Sequence, residues 1–167
     1  IIFSLDYNSL SRIGNLSTPI AASNATKIVI DHHQNPQEFA HHYIVDTNCC
    51  STSQLIYEFI EDLDKLSYLD DVIGACIYCG IMTDTGSFRF PSTTSKTHQI
   101  IAHLIDLGVN GAKIHEAVYD TYSFDRLQLL GHALTSKMKV ISELNVAYIT
   151  LSQEELKKYN FKKGDTE

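Results

Sequence analysis

The stretch Lys27-Ile28-Val29-Ile30-Asp31-His32-His33 decides how this chain is read. Ile28, Val29 and Ile30 form an unbroken β-branched run, the pattern of a strand buried on both faces in a parallel sheet. The run stops in one carboxylate and two imidazoles. In open parallel sheets, ligands bind outside the carboxyl ends of the strands, so those polar residues arrive at the edge where chemistry is done. Ile1-Ile2-Phe3-Ser4-Leu5 is a second strand-like run, and it too ends in an aspartate, Asp6.

Beyond these runs the apolar period changes from strand to helix. Ser51 and Gln54 suggest a capping box, after which Leu55, Ile56, Phe59, Ile60 and Leu63 recur at three and four residues, so a helix is expected to lie against the sheet. Asp70 and Asp71 open the apolar run Val72 to Met82, whose length favours a buried helix, and this run terminates in Thr83-Asp84-Thr85-Gly86. Thr94 or Ser95 can cap a helix with Ile100, Ile101, Leu104 and Ile105 inward and Gly108 as its stop; Asn110 can cap another through Val118. Strands followed by helices indicate an α/β layer architecture. Residues 9 to 25 are too weakly periodic to assign. The polar segment Tyr119 to Asp125 marks a domain boundary, followed by helical spacing from Arg126 to Thr135. Lys137–Ile141 and Val146–Leu151 then read as a hairpin, and Ser152 with Glu155 caps a short helix reaching Tyr159.

Composition narrows the function. The chain has 167 residues, 44% of them hydrophobic and 20% charged, enough for a core of ordinary size. Thirteen basic against 20 acidic residues give a formal charge of −7, so no global positive field draws in long nucleic acid. The four cysteines fall in two close pairs, and neither a secretory signal nor a membrane-spanning run is evident, which makes a reducing cytoplasm the simplest compartment.

Imidazole and carboxylate together suit zinc, manganese or iron, whereas an all-oxygen site would suit magnesium or calcium. Successive side chains on a strand diverge, so His32 and His33 are expected to divide their labour, one reaching metal and the other substrate. Hydrolysing a phosphodiester needs a nucleophilic hydroxide and neutralisation of developing charge, which a pair of divalent ions about 3.5–4 Å apart provides. Two close dications require bridging anions. Asp6 and Asp84 qualify by type and by position, since each stands where an apolar element emerges.

Ile2-Phe3-Ser4-Leu5-Asp6, then Ile30-Asp31-His32-His33, then Gly80-Ile81-Met82-Thr83-Asp84-Thr85-Gly86-Ser87-Phe88-Arg89-Phe90 resemble, in order and spacing, the second, third and fourth motifs of the DHH phosphoesterases. Within that family the likeness is greatest to bacterial nano-RNases that also act as 3′-phosphoadenosine-5′-phosphate phosphatases. It extends to Lys162-Lys163-Gly164-Asp165-Thr166-Glu167. The resemblance implies an α/β fold, a parallel sheet flanked by helices, followed by the start of a smaller α+β substrate-binding domain. The corresponding divisions are 1–120 for the catalytic part, 121–135 for a connecting helix and 136–167 for the second domain. It further implies that Asp6 and Asp84 bridge two manganese ions, with magnesium or another divalent ion as alternatives, and that His32 binds one of them. His33 would contact the substrate phosphate, Asp31 would orient the histidines from behind, and Arg89 would clamp a phosphate. The substrates implied are short RNA, degraded from the 3′ direction or the 5′ end, and small nucleotides. Other hydrolases of the same type remain alternatives: a cyclic-dinucleotide phosphodiesterase, a single-strand exonuclease or an inorganic pyrophosphatase. So does a non-catalytic ligand-binding relic. A homodimer is left open. The family's first motif would lie before Ile1 and its glycine-rich Gly-Gly-Gly-His motif after Glu167, so the chain is expected to be a section of a longer protein. Alone, it is expected to bind metal weakly and to show little activity.

Rival features carry less. His41-His42 with Cys49-Cys50 would make a poor zinc site, because neighbouring side chains on an extended segment diverge. Cys76-Ile77-Tyr78-Cys79 sits inside an apolar run and reads as a pair of buried structural thiols. Cys50-Ser51-Thr52 could offer helix-start amides to a phosphate, or simply cap the helix. His98, His103, His115 and His132, with Tyr7, Tyr43 and Tyr122, are assigned to packing.

Overall fold

A computed structural model describes residues 1–165, so the last two residues of the Lys162–Glu167 likeness, Thr166 and Glu167, lie outside the described part. The expected strands form as β1 (Ile2–Leu5) and β2 (Lys27–Asp31), and they pair in parallel with Phe3 opposite Ile28 and Leu5 opposite Ile30. A third parallel strand, β3 (His42–Val45), pairs with β2 on its other side. The sequence pattern did not reveal it, because a run opening on His42 and only four residues long carries no period of its own. Residues 9 to 25, left unassigned, hold a tight helical stretch at Leu10–Leu16 and the short helix α1 (Ser17–Ala22).

Alternation along the strands splits the sheet into two faces. Ile28, Ile30 and Ile44 pack with Leu55, Ile56 and Phe59 of α2 (Thr52–Asp62), and Phe3 meets the Phe59 ring edge-on at 6.2 Å. The Ser51 hydroxyl caps α2 by accepting from the Gln54 amide at 3.1 Å, while the Gln54 side chain turns to Glu58 and Thr97 instead of closing the box. Burying a leucine such as Leu55, 5% exposed, contributes about 1.5–3 kcal/mol. Leu63, expected inward, is 52% exposed just past the helix end.

α3 (Asp71–Asp84) starts at Asp70, whose carboxylate accepts from the Ile73 amide. It buries Ile77, Tyr78, Ile81 and Met82 but leaves Val72 and Ile73 exposed, so it is one-sided where a fully buried helix was expected. A side chain at Gly80 would collide with Ser53, which shows how closely α2 and α3 approach. α4 (Ser95–Asp106) has the reciprocal Thr94–Thr97 capping box; Ile100, Ile101 and Leu104 are buried, but Ile105 is not. The parallel three-stranded sheet with its flanking helices is the α/β fold expected.

The chain divides into two compact units, Ile1–Ile114 and the residues from His115 onward. The division falls inside α5 (Gly111–Tyr119), earlier than the 120/121 boundary and the polar Tyr119–Asp125 turn from which that boundary was read. In the second unit, α6 (Phe124–His132) runs into a wide π turn at Ala133–Lys137. The antiparallel pair β4 (Lys139–Ile141) and β5 (Val146–Tyr148) and the short helix α7 (Gln153–Lys158) follow. Leu129 and Ala133 are buried there, and every residue of both strands is exposed. Among the described residues, no helix is long and apolar enough to cross a membrane.

Candidate metal centre

Asp6 is the first residue beyond β1, and its amide still donates to the Ile30 carbonyl at 3.1 Å. There the backbone turns into the left-handed region, φ 64°, which costs a non-glycine residue roughly 1–2 kcal/mol and throws the side chain off the strand direction. Its Oδ1 accepts from the Thr52 hydroxyl at 2.8 Å, a contact 46 residues away in sequence. β2 supplies the neighbours. Asp31 is its last residue, fully buried, and His32 and His33 follow as the chain leaves the sheet.

The two imidazoles are anchored differently, each through Nδ1. His32 Nδ1 lies 3.3 Å from the Cys49 carbonyl, which can only accept, so Nδ1 carries the proton and Nε2 offers its lone pair. That Nε2 stands 3.8 Å from Asp6 Oδ1 and 3.7 Å from Asp84 Oδ2. His33 Nδ1 donates to Asp31 Oδ1 at 2.7 Å and lies 3.8 Å from Asp6 Oδ1. The rings meet edge to face at 4.7 Å. Asp84, the last residue of α3, comes from a helix and not from the sheet. Its carboxyl is pushed above the usual carboxylate range, chiefly by burial; His32 pulls it down and the negative charge of Asp6 pushes it up.

These groups suit a divalent cation. Ligand atoms of Asp6, His32 and His33 lie within 4.8 Å of one another, and the carboxylate–imidazole mixture is the donor set of manganese, iron or zinc. Asp31 Oδ2 is buried without a hydrogen-bond partner, although Oδ1 of the same carboxylate holds His33. A cation at this site would favour the charged form of Asp84, which burial disfavours.

Of the residues singled out by sequence, Asp6, Asp31, His32, His33 and Asp84 come together and Arg89 does not join them. Arg89 follows a left-handed turn over Gly86, Ser87 and Phe88; it is exposed, and its Nε donates to the Gly86 carbonyl at 2.6 Å. Buried Thr85 organises this turn, giving its hydroxyl proton to the Ile81 carbonyl and accepting from the Phe88 amide. Thr52 and the Cys49 carbonyl are contacts that sequence reasoning missed. The Cys50-Ser51-Thr52 helix start was noted for its amides, while the group that reaches the cluster is a hydroxyl.

Other expectations need correction or find ordinary roles. Cys76 is exposed and Cys79 half-buried, both free, so they are not the buried thiols expected; α3 turns that face outward. His41 Nδ1 accepts from the Lys27 amide. His103 pairs with the Tyr57 hydroxyl at 2.6 Å, and His132 with Glu155. Tyr7 packs on Phe39, and Tyr122 lies under the Arg126 guanidinium at 4.1 Å.

The fold and the cluster define a class: a parallel α/β domain that gathers carboxylates and imidazoles where its strands end. Residues 1–81 match the DHH family, N-terminal domain. The bifunctional oligoribonuclease and PAP phosphatase NrnA of Bacillus subtilis is 30% identical over 138 residues, covering 82% of this chain and 43% of that protein. Its probable counterpart in Streptococcus mutans is 32% identical over 139 residues, covering 83% and 43%. The crystal structure of an exopolyphosphatase-related protein from Bacteroides fragilis matches with a TM-score of 0.96 at 40% identity, covering 99% of this chain and 48% of that one. The chain therefore spans less than half the length of these relatives.

Proposed function

We propose that the protein carrying this chain is a divalent-metal phosphoesterase that hydrolyses very short RNA and the 3′-phosphate of nucleotide bisphosphates. The observation that carries this reading is the convergence of Asp6 and Asp84 on His32 Nε2. Asp6, His32 and Asp84 would hold the metal, manganese being one of the ions that this donor set suits. When bound, divalent ions supply Lewis-acid polarisation of a phosphoryl oxygen and lower the pKa of a water molecule.

The chain's own residues do the rest. Thr52 fixes the rotamer of Asp6, and the Cys49 carbonyl fixes the tautomer of His32. Asp31 holds His33 by Nδ1, leaving Nε2 to meet a substrate phosphate; the buried carboxylate behind it stabilises positive charge on the ring as the phosphoryl group gains negative charge. The names of the two NrnA relatives support the short-RNA and nucleotide substrates.

A second reading rests on the exopolyphosphatase-related neighbour: hydrolysis of a phosphoanhydride instead of an ester. Both are tested by supplying full-length protein and manganese with a very short RNA, a nucleotide 3′,5′-bisphosphate, a cyclic dinucleotide, pyrophosphate and polyphosphate. Manganese-dependent turnover of the first two, exceeding the others, is the expected result. Turnover of polyphosphate or pyrophosphate alone would favour the second reading, and no metal-stimulated hydrolysis of any substrate would overturn both.

A further inference from the structure

The loops leaving β1 and β2 are fastened to each other and to β3 by side chains outside the metal cluster. Asn8 Nδ2 donates to the Gln34 carbonyl at 2.6 Å, and the Gln37 amide donates back to the Asn8 carbonyl at 2.8 Å. The Ser9 hydroxyl donates to Gln37 Oε1 at 2.8 Å. From β3, the Tyr43 hydroxyl accepts from the Phe39 and Ala40 amides at 2.5 and 2.6 Å and donates to the Gln37 carbonyl at 3.2 Å. Phe39 closes the bundle: it stacks parallel to Tyr7 at 6.0 Å and meets Tyr43 edge-on at 6.5 Å.

The register explains where this strap lies. Ser4, Val29 and Tyr43 are cross-strand partners, so they share the sheet face opposite the one α2 covers. Tyr7 reaches that face, donating to Ser4 Oγ at 2.6 Å, and Ser4 and Val29 are fully buried there. The strap thus joins the chain leaving the carboxyl ends of β1 and β2 to the start of β3. Its two halves begin one residue beyond Asp6 and one residue beyond His33.

Exposed hydrogen bonds each contribute little to global stability. Three of them tie the β1 loop to the β2 loop and three more, from Tyr43, tie the β2 loop to β3, so together they restrict where those loops, and the residues at their roots, can go. Asp6 needs such restraint, because its left-handed backbone is disfavoured unless the surroundings enforce it. Two carboxylates and two imidazoles brought together without a cation also repel or misalign unless a scaffold holds them.

We infer that the strap formed by Asn8, Ser9, Gln37 and Tyr43 is a positioning device that presets Asp6 and His33 for the cation, an inference that rests on the metal reading above. Tyr43 is the hub, since its hydroxyl makes three of the six bonds. Tyr43→Phe removes all three and keeps the ring that packs on Phe39.

The test is manganese binding to the full-length protein, by calorimetry or by the electron paramagnetic resonance signal of free manganese, well below the unfolding temperature. Tyr43→Phe is expected to weaken binding about tenfold, the lower end of the range for groups that orient metal ligands from behind. Ser9→Ala should weaken it by a smaller factor, and Ser9→Thr should restore it. Tyr57→Phe, which deletes the hydrogen bond to His103 outside the strap, serves as the stability control: its melting temperature should fall while its manganese affinity stays that of the wild type. If the wild-type protein binds no manganese, the metal reading fails and takes this inference with it. If the wild type binds and Tyr43→Phe binds as tightly, the strap is only a cover for the sheet and the metal reading stands. Equal loss of affinity in Tyr57→Phe would tie the effect to stability and overturn the inference.

Discussion

Two carboxylate clusters in this chain make opposite use of the same chemical group. At the sheet edge of the first unit, Asp6 and Asp84 face a shared imidazole, and burial with mutual repulsion pushes the Asp84 carboxyl upward. In the second unit, Glu155 is saturated. Its Oε2 accepts from the Ser152 amide at 2.8 Å, while its Oε1 takes His132 Nε2 at 2.8 Å and Lys137 Nζ at 3.0 Å. The backbone donor first, then His132 and Lys137, hold its carboxyl well below the usual range. A carboxylate whose charge the protein already answers is a fastener: here it ties the start of α7 to the π turn. One whose charge the protein leaves unanswered is prepared for a cation.

The largest effect should separate the two clusters outright. Asp84→Ala removes one of the paired acids at the cation site and is expected to abolish metal-dependent hydrolysis and to weaken manganese binding by at least about 100-fold. Glu155→Ala should leave turnover within about twofold, because a fastener that is no part of the cation cluster contributes to stability alone. Near-normal turnover by Asp84→Ala would erase the distinction. The same contrast appears in thermal unfolding without any substrate: manganese at about 100 times its dissociation constant should stabilise the wild type by about 2.7 kcal/mol. That gain should vanish in Asp84→Ala and persist in Glu155→Ala.

Thr52 sharpens the comparison from the other side. Glu155 receives several donors, whereas Asp6 receives one protein hydroxyl, which fixes its rotamer without neutralising it. Thr52→Val keeps the shape of the side chain and deletes the donor, so manganese affinity should fall about tenfold, or about 1.4 kcal/mol, with Thr52→Ser recovering it. Unchanged affinity in Thr52→Val would mean that the left-handed backbone alone aims Asp6.

How much of this could be read in advance follows from how far each interaction reaches. β1, β2 and the helices after Ser51 were legible because period and capping are local, and the meeting of Asp6, His32 and Asp84 because each stands at the end of an element or just past it. Strand β3 was not, since His42 to Val45 becomes a strand only by pairing with β2. Thr52 on Asp6 joins residues 46 apart, and no local pattern encodes such a contact. The surroundings of Arg89 were not legible either: it follows three consecutive left-handed residues and its Nε donates to the Gly86 carbonyl, and neither period nor capping signals that turn. The exposure of Cys76 was lost in the uniform hydrophobicity of α3, which hides which side faces out.

The smallest effect concerns pH, and here the two clusters should move in opposite directions. Glu155 has a folded-state pKa below its unfolded value of about 4.3, so its stabilisation is complete above that value and is lost as pH falls through it toward the folded pKa. Asp84, without metal, has a folded pKa above its unfolded value of about 3.9, so it opposes folding increasingly as pH rises from that value through the folded one. Acidification from neutral pH should therefore relieve strain around Asp84 before it loosens the Glu155 fastener. Unfolding of the metal-free protein followed from pH 7 to 3 can separate the two. Asp84→Asn should lose the relief that sets in above the ordinary carboxylate range, and Glu155→Gln should lose the decline at the acid end. If both variants follow the wild-type profile throughout, neither carboxylate carries the charge environment that distinguishes the two clusters.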